Sequence, residues 1–122
     1  MWKPVGPWIT LTVPGSPIRA TTGRLDGLAV GVDYPCHALM FQQVPGNTGI
    51  IYIFDASNGA TDGSLGTCGM IAAPTVNVGG TAIILPHAAI CIPSGGNALN
   101  AASYWVYGTV NGDKVAISRI VW

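Results

Sequence analysis

Charge is what this sequence has least of. Only 8% of its 122 residues are charged and glutamate does not occur, where an ordinary soluble domain carries about 25%. Between Asp62 and Asp113 there is no Asp, Glu, Lys or Arg at all. Whatever parts of that run reach the surface must present hydroxyls, amides, glycines and apolar atoms, a composition suited to burial against another protein. The two lysines and three arginines are scattered and balanced by five aspartates. Attraction to phosphate or anionic lipid is therefore weak, which argues against nucleic acid and membrane surfaces as partners. Long apolar runs are missing too: the most hydrophobic window, residues 70–93, is cut by Pro74, Gly79-Gly80 and Pro86, which excludes a membrane helix there. Residues 1–10 contain two prolines and no continuous apolar segment, so no secretion signal is read and synthesis in a cytoplasm is expected. Three cysteines, Cys36, Cys68 and Cys91, are too few and odd in number for a disulfide framework. They read as small core-filling thiols.

Helical periodicity is also absent. What is present is short apolar runs separated by turn residues, the pattern of an all-β chain. At 122 residues one domain fits, large enough for a sandwich that buries most of its apolar surface. The central stretch, residues 36–55, has an alternating run (His37, Leu39 and Phe41 against Ala38, Met40 and Gln42) and a second run, Ile50 to Phe54, apolar on both faces. The turn-rich VPGNTG between them predicts a β-hairpin, with the second run near the middle of a sheet. Asn111-Gly112-Asp113-Lys114 predicts a second hairpin closing the chain, and Gly79-Gly80 a third. Residues 8–13 alternate as a first strand. Residues 18–21 read as a weak strand followed by a solvated loop anchored by Leu25, Leu28, Val30 and Val32. Residues 1–7, with Pro4 and Pro7, read as an extended N-terminal arm outside the β-sandwich domain of residues 8–122. A single helical turn capped by Asn97, or a loop, is expected over 97–103, and the C-terminal strand should run to Trp122. The fold class expected is a single-domain antiparallel β-sandwich, jelly-roll or Greek-key like, with very little helix.

Groups that could do chemistry are few. His37 continues a core strand and His87 follows a proline, so structural or solvent-exposed roles are expected for both. Cys36 beside His37, and Cys91 four residues after His87, are weak as a zinc pattern because no Cys-x-x-Cys pair accompanies them. Asp26, Asp55, Asp62 and Asp113 lie in turn-like contexts, where hydrogen bonding to the turn is the expected task. The glycines form no phosphate loop. No enzyme, cofactor or metal is expected. The aromatic residues Trp2, Trp8, Tyr104, Trp105 and Tyr107 are the candidates for an interface, since Trp and Tyr anchor subunit contacts. A sugar-stacking platform is the alternative use of the last four.

Two segments carry a resemblance. NTGIIYIFDASNGATDG, at 47–63, and the segment Asn97 to Trp122 with its TVNGDKVAISRIVW ending together resemble small β-sandwich virion proteins of tailed phages: capsid decoration or cement proteins and related head or tail accessory domains. The resemblance implies a structural role on the capsid surface, the major capsid protein as partner, a homotrimer, and assembly in the host cytoplasm. The alternative reading is a tail-associated receptor- or glycan-binding module that uses the exposed aromatics and the loops Ala56 to Gly69 and Pro93 to Asn100.

Overall fold

The computed structural model describes residues 2–54, 67–72, 75–84, 89–93 and 99–120. The expectations placed on Asp55, Asp62, His87, Trp122 and most of the 56–69 loop lie outside them. Within them the chain folds as two antiparallel sheets packed face to face, with one short 3-10 turn.

The first sheet contains β1 (Trp2–Pro4), β2 (Ile9–Thr10), β5 (Ala38–Gln43), β10 (Ala89–Pro93) and β13 (Lys114–Ile120), in the order β1-β13-β5-β10 with β2 also on β13. The second contains β3 (Ile18–Arg19), β6 (Ile51–Phe54), β7 (Thr67–Ile71) and β12 (Trp105–Gly108), in the order β3-β12-β6-β7. Two small pairs complete the fold: β4 (Pro35–Cys36) with β11 (Leu99–Asn100), and β8 (Thr75–Val78) with β9 (Thr81–Ile84).

β1 and β2 are one interrupted strand. Trp2 to Pro4 pair with Ile120 to Ser118, the Val5 N–H donates to the Ile117 carbonyl at 2.9 Å, and Ile9 pairs with Val115. Gly6, Pro7 and Trp8 bulge outward between those contacts, which leaves Trp8 60% exposed. The arm expected over residues 1–7 is thus corrected: its first residues are the outer strand of the sheet, and Val5 is fully buried. An edge position accepts Pro4 because only one side of that strand must pair.

With β1 and β2 counted together, the eight principal strands are, in chain order, β1/β2, β3, β5, β6, β7, β10, β12 and β13. The first sheet then reads 1-8-3-6 and the second 2-7-4-5, the interleaved order of a jelly roll. Among these eight, β6 and β7 are the one successive pair that share a sheet. This overturns two hairpins. β5 pairs with β10 and β13, not with β6, and β12 pairs with β3 and β6, not with β13. Both turn-rich connections carry the chain from one sheet to the other. The Gly79-Gly80 hairpin is as expected: both glycines have positive φ, 58° and 83°, as a two-residue turn matched to strand twist requires.

Buried side chains explain the two crossings. Asn47 stands in for a strand: its Oδ1 accepts the Lys114 N–H at 2.8 Å while its Nδ2 donates to the Lys114 carbonyl and to Gln43 Oε1. Asp113 accepts the Thr48 and Gly49 N–H groups at 3.2 and 2.9 Å. Gln43 Nε2 donates to the carbonyls of Gly49 and Ile71 at 2.9 and 3.2 Å. A Cβ at Gly49 would collide with Thr109 Oγ1 and lie 2.8 Å from Val110 Cγ2, so only glycine lets the two connections close on each other. The context of Asp113 predicts that it serves its own turn; it serves the opposite one.

Period-two alternation sets the core. Leu39 and Phe41 of β5, Val115 and Ile117 of β13, Ile51 and Ile53 of β6, and Val106 of β12 all point between the sheets. Each such side chain contributes about 1.5–3 kcal/mol on leaving water. Ile90 of β10 reaches so close to Gly69 of β7 that a Cβ there would sit 2.9 Å from it.

Candidate functional site

The five aromatic interface candidates do not form one surface. Trp2, 39% exposed, stands on the outer strand of the first sheet, and Trp8 stands on the bulge. The Tyr104 ring lies 6.0 Å from Phe41 and packs on the main core. Trp105 and Tyr107 share the outer face of the second sheet with Tyr52 and Phe54. There Tyr107 is buried, its hydroxyl accepting the Gly15 N–H at 2.8 Å, and the Arg19 guanidinium carbon lies 4.6 Å from the Trp105 ring centroid. Tyr107 is therefore a structural residue, and the exposed tryptophans belong to a different region.

The outer strand that carries those tryptophans packs against the connection from β3 to β4, so closely that a Cβ at Gly6 would lie 2.8 Å from the Gly23 carbonyl oxygen. Leu25, Leu28, Val30 and Val32 do not anchor this connection: they are 64%, 53%, 39% and 43% exposed. The anchor is Arg24, whose side chain is 2% exposed. Its Nε and Nη2 make a two-pronged contact with Asp26, each 2.7 Å long. Nη1 donates to the carbonyls of Ala29, at 3.0 Å, and Val32, and Nη2 reaches the Asp33 carbonyl at 3.3 Å. A guanidinium has five donors in a fixed plane, and here they gather the loop's inward-facing carbonyls. The apolar side chains are consequently displayed outward. Thr21, fully buried, donates to the Val30 carbonyl at 2.6 Å, and the Leu25 N–H donates to the Val5 carbonyl at 2.9 Å, fixing the loop to the outer strand.

Beside the loop lies an open cleft of about 220 Å³ lined by Arg24, Asp26, Leu28, Asp33, Tyr34, Pro35 and Arg119. Tyr34 is its buried floor. The guanidinium carbons of Arg24 and Arg119 lie 4.4 and 4.6 Å from its ring centroid, within cation–π range. Asn100 ties Tyr34 in place, its Oδ1 accepting the Tyr34 N–H at 2.8 Å and the Ala102 N–H at 3.1 Å. Asn100, rather than Asn97, caps the 3-10 turn Ala101–Ser103. The hydrogen bond from Arg24 holds the Asp26 carboxyl below the ordinary carboxylate range. Burial pushes the Cys36 thiol up to about 11, opposed weakly by the charge of Arg119. Cys36 is a core-filling thiol donating to the Leu99 carbonyl at 3.8 Å, whereas Cys91 is free and exposed, so the core reading holds for one and is corrected for the other. The side chain of Cys68 lies outside the described residues.

Among the described residues no group of three or more His, Cys, Asp or Glu could hold a metal ion. The arrangement at the cleft suits recognition: two apolar residues, Leu28 and Pro35, beside the paired charges of Arg24 and Asp26 and a second guanidinium from Arg119. Its signal in the sequence is partial, namely Arg24 and Asp26 two residues apart with glycines at 23 and 27. The contribution of Arg119, far along the chain, has no local signal. No family model, curated protein or solved structure matches this chain.

Proposed function

We propose that this chain is a non-enzymatic structural protein of a virion, a tailed-phage capsid decoration protein that bridges neighbouring coat subunits. One observation carries the reading: a loop with its arginine buried and four apolar side chains turned to solvent. A soluble monomer gains nothing from that inversion, while a protein that docks gains apolar contact area already fixed in shape. The charge-poor composition supports it, since the centres of protein interfaces are depleted in charge. The resemblance of residues 47–63 and 97–122 to cement proteins supplies the partner, the major capsid protein, and the expected trimer on local three-fold axes. Jelly rolls also serve unrelated tasks, so the fold alone carries none of this.

The test is the copy number of the chain in purified particles, by quantitative mass spectrometry against the major coat protein. Abundance comparable to the coat supports decoration. A few copies per particle moves the reading to a receptor- or glycan-binding tail part, for which the mixed-charge cleft is the feature to probe. Absence from particles overturns both.

A further inference from the structure

We propose that the cleft is a carboxylate-binding site in which Arg119 is the receiving group. The other charges lining it are already engaged. Arg24 is saturated by Asp26 and three carbonyls, Asp26 also accepts the Leu28 N–H at 3.1 Å, and Asp33 Oδ1 accepts Asn100 Nδ2 at 3.0 Å. Arg119 differs. Among the described residues its guanidinium has no hydrogen bond or ion pair, and its Nε is buried without an acceptor, a state shared only with the Nε of Arg19, which lies against Trp105 and lines no part of the cleft. A buried donor without an acceptor is costly; the Arg119 side chain as a whole is half-buried, its charge acts on Asp26, and it lines an open cleft rather than a sealed core.

The surroundings select the ligand. The guanidinium of Arg119 lies against the Tyr34 ring, and a planar fork of donors pairs best with a planar, singly charged carboxylate. Asp26 and Asp33 on the rim oppose a doubly charged phosphate more strongly than a carboxylate. Leu28 and Pro35 supply apolar walls for the carbon to which the carboxylate is attached, and a volume of about 220 Å³ accommodates such a group. The carboxylate can come from an acidic side chain of a docked protein or from a sugar acid. The site stands independently of the virion reading, because its test involves neither particles nor coat protein.

The protein, labelled with nitrogen-15, is titrated with acetate, acetamide and inorganic phosphate while the Arg119 Nε–Hε resonance and the backbone amides of Leu28 and Tyr34, which line the cleft and remain in every variant, are followed. Acetate is expected to give a saturable shift in the millimolar range, acetamide none, and phosphate a weaker one. Arg119→Lys, which keeps the charge and most of the stem, should weaken acetate by about tenfold with the denaturation midpoint retained. N-acetylglutamate amide and glucuronate then identify the source, the tighter ligand marking it. No saturable shift with acetate, an equal shift with acetamide, or unchanged acetate affinity in a folded Arg119→Lys variant overturns the proposal.

Discussion

At one end of the sandwich Gln43, Asn47 and Asp113 are buried between two connections that cross from sheet to sheet; elsewhere, Arg24 is buried inside a single connection. The polar groups are equally well satisfied, but their reach differs. Asp113 and Asn47 join residues 64 to 67 positions apart, while every side-chain hydrogen bond of Arg24 falls between residues 26 and 33. The first group holds the two sheets in register. The second holds the shape of one loop, so that the loop can be altered without the sandwich being lost.

That contrast sets the order of expected effects. Asp113→Ala strands two backbone donors and removes a charge-assisted contact between the crossings, and should cost about 3 kcal/mol in denaturant titration. A loss below about 1 kcal/mol would remove the distinction between the two regions. Arg24→Met should cost about 1–2 kcal/mol, with faster hydrogen exchange confined to residues 21–33 and β6, β12 and β13 protected as in the wild type. Exchange rising equally in those strands would show the loop to be part of the global cooperative unit.

A change of pH acts on two buried or paired groups in opposite directions. Cys36 has a raised value in the folded chain, so its contribution is complete below the ordinary thiol range and is lost as pH rises toward about 11. Stability should therefore fall on the alkaline side, and Cys36→Ala should flatten that slope. Asp26 works the other way. Its lowered value means its contribution is present above the ordinary aspartate value of about 3.9 and lost as pH falls through the lower folded one. Acid should loosen residues 24–33 before it unfolds the sheets, as proteolytic cleavage in that loop would report. The smallest effect on stability belongs to the loop's exposed side chains: Leu28→Ser with Val30→Ser should shift it by no more than about 0.5 kcal/mol, since both side chains already face water.

Much of the sandwich is legible along the chain, because strand alternation is a local property. Leu39 and Phe41 fall inward and Met40 and Gln42 less so, as the alternation predicts, and β6 lies inside its sheet. Turn chemistry specifies that the chain reverses; it does not specify which sheet receives the next strand. At 79–80 the reversal is a hairpin, whereas at 44–50 and 109–113 it is a crossing, and what separates the cases is Asn47 and Asp113 bonding to partners more than sixty residues away. The loop at 24–33 misleads for a different reason. Apolar side chains are ordinarily the anchors of a loop, and only a buried arginine able to gather several carbonyls reverses their direction. The cleft leaves little trace in the sequence because its two arginines, Arg24 and Arg119, each come to lie against the Tyr34 ring only in the folded chain.

The claim that this inverted loop exists to be covered is tested most directly by incorporation of the Leu28→Ser, Val30→Ser chain into particles beside the wild type. The expected result is an unchanged denaturation midpoint with incorporation reduced by about an order of magnitude or more, as follows when the apolar centre of an interface is lost. Incorporation at the wild-type level by an equally stable chain would refute it.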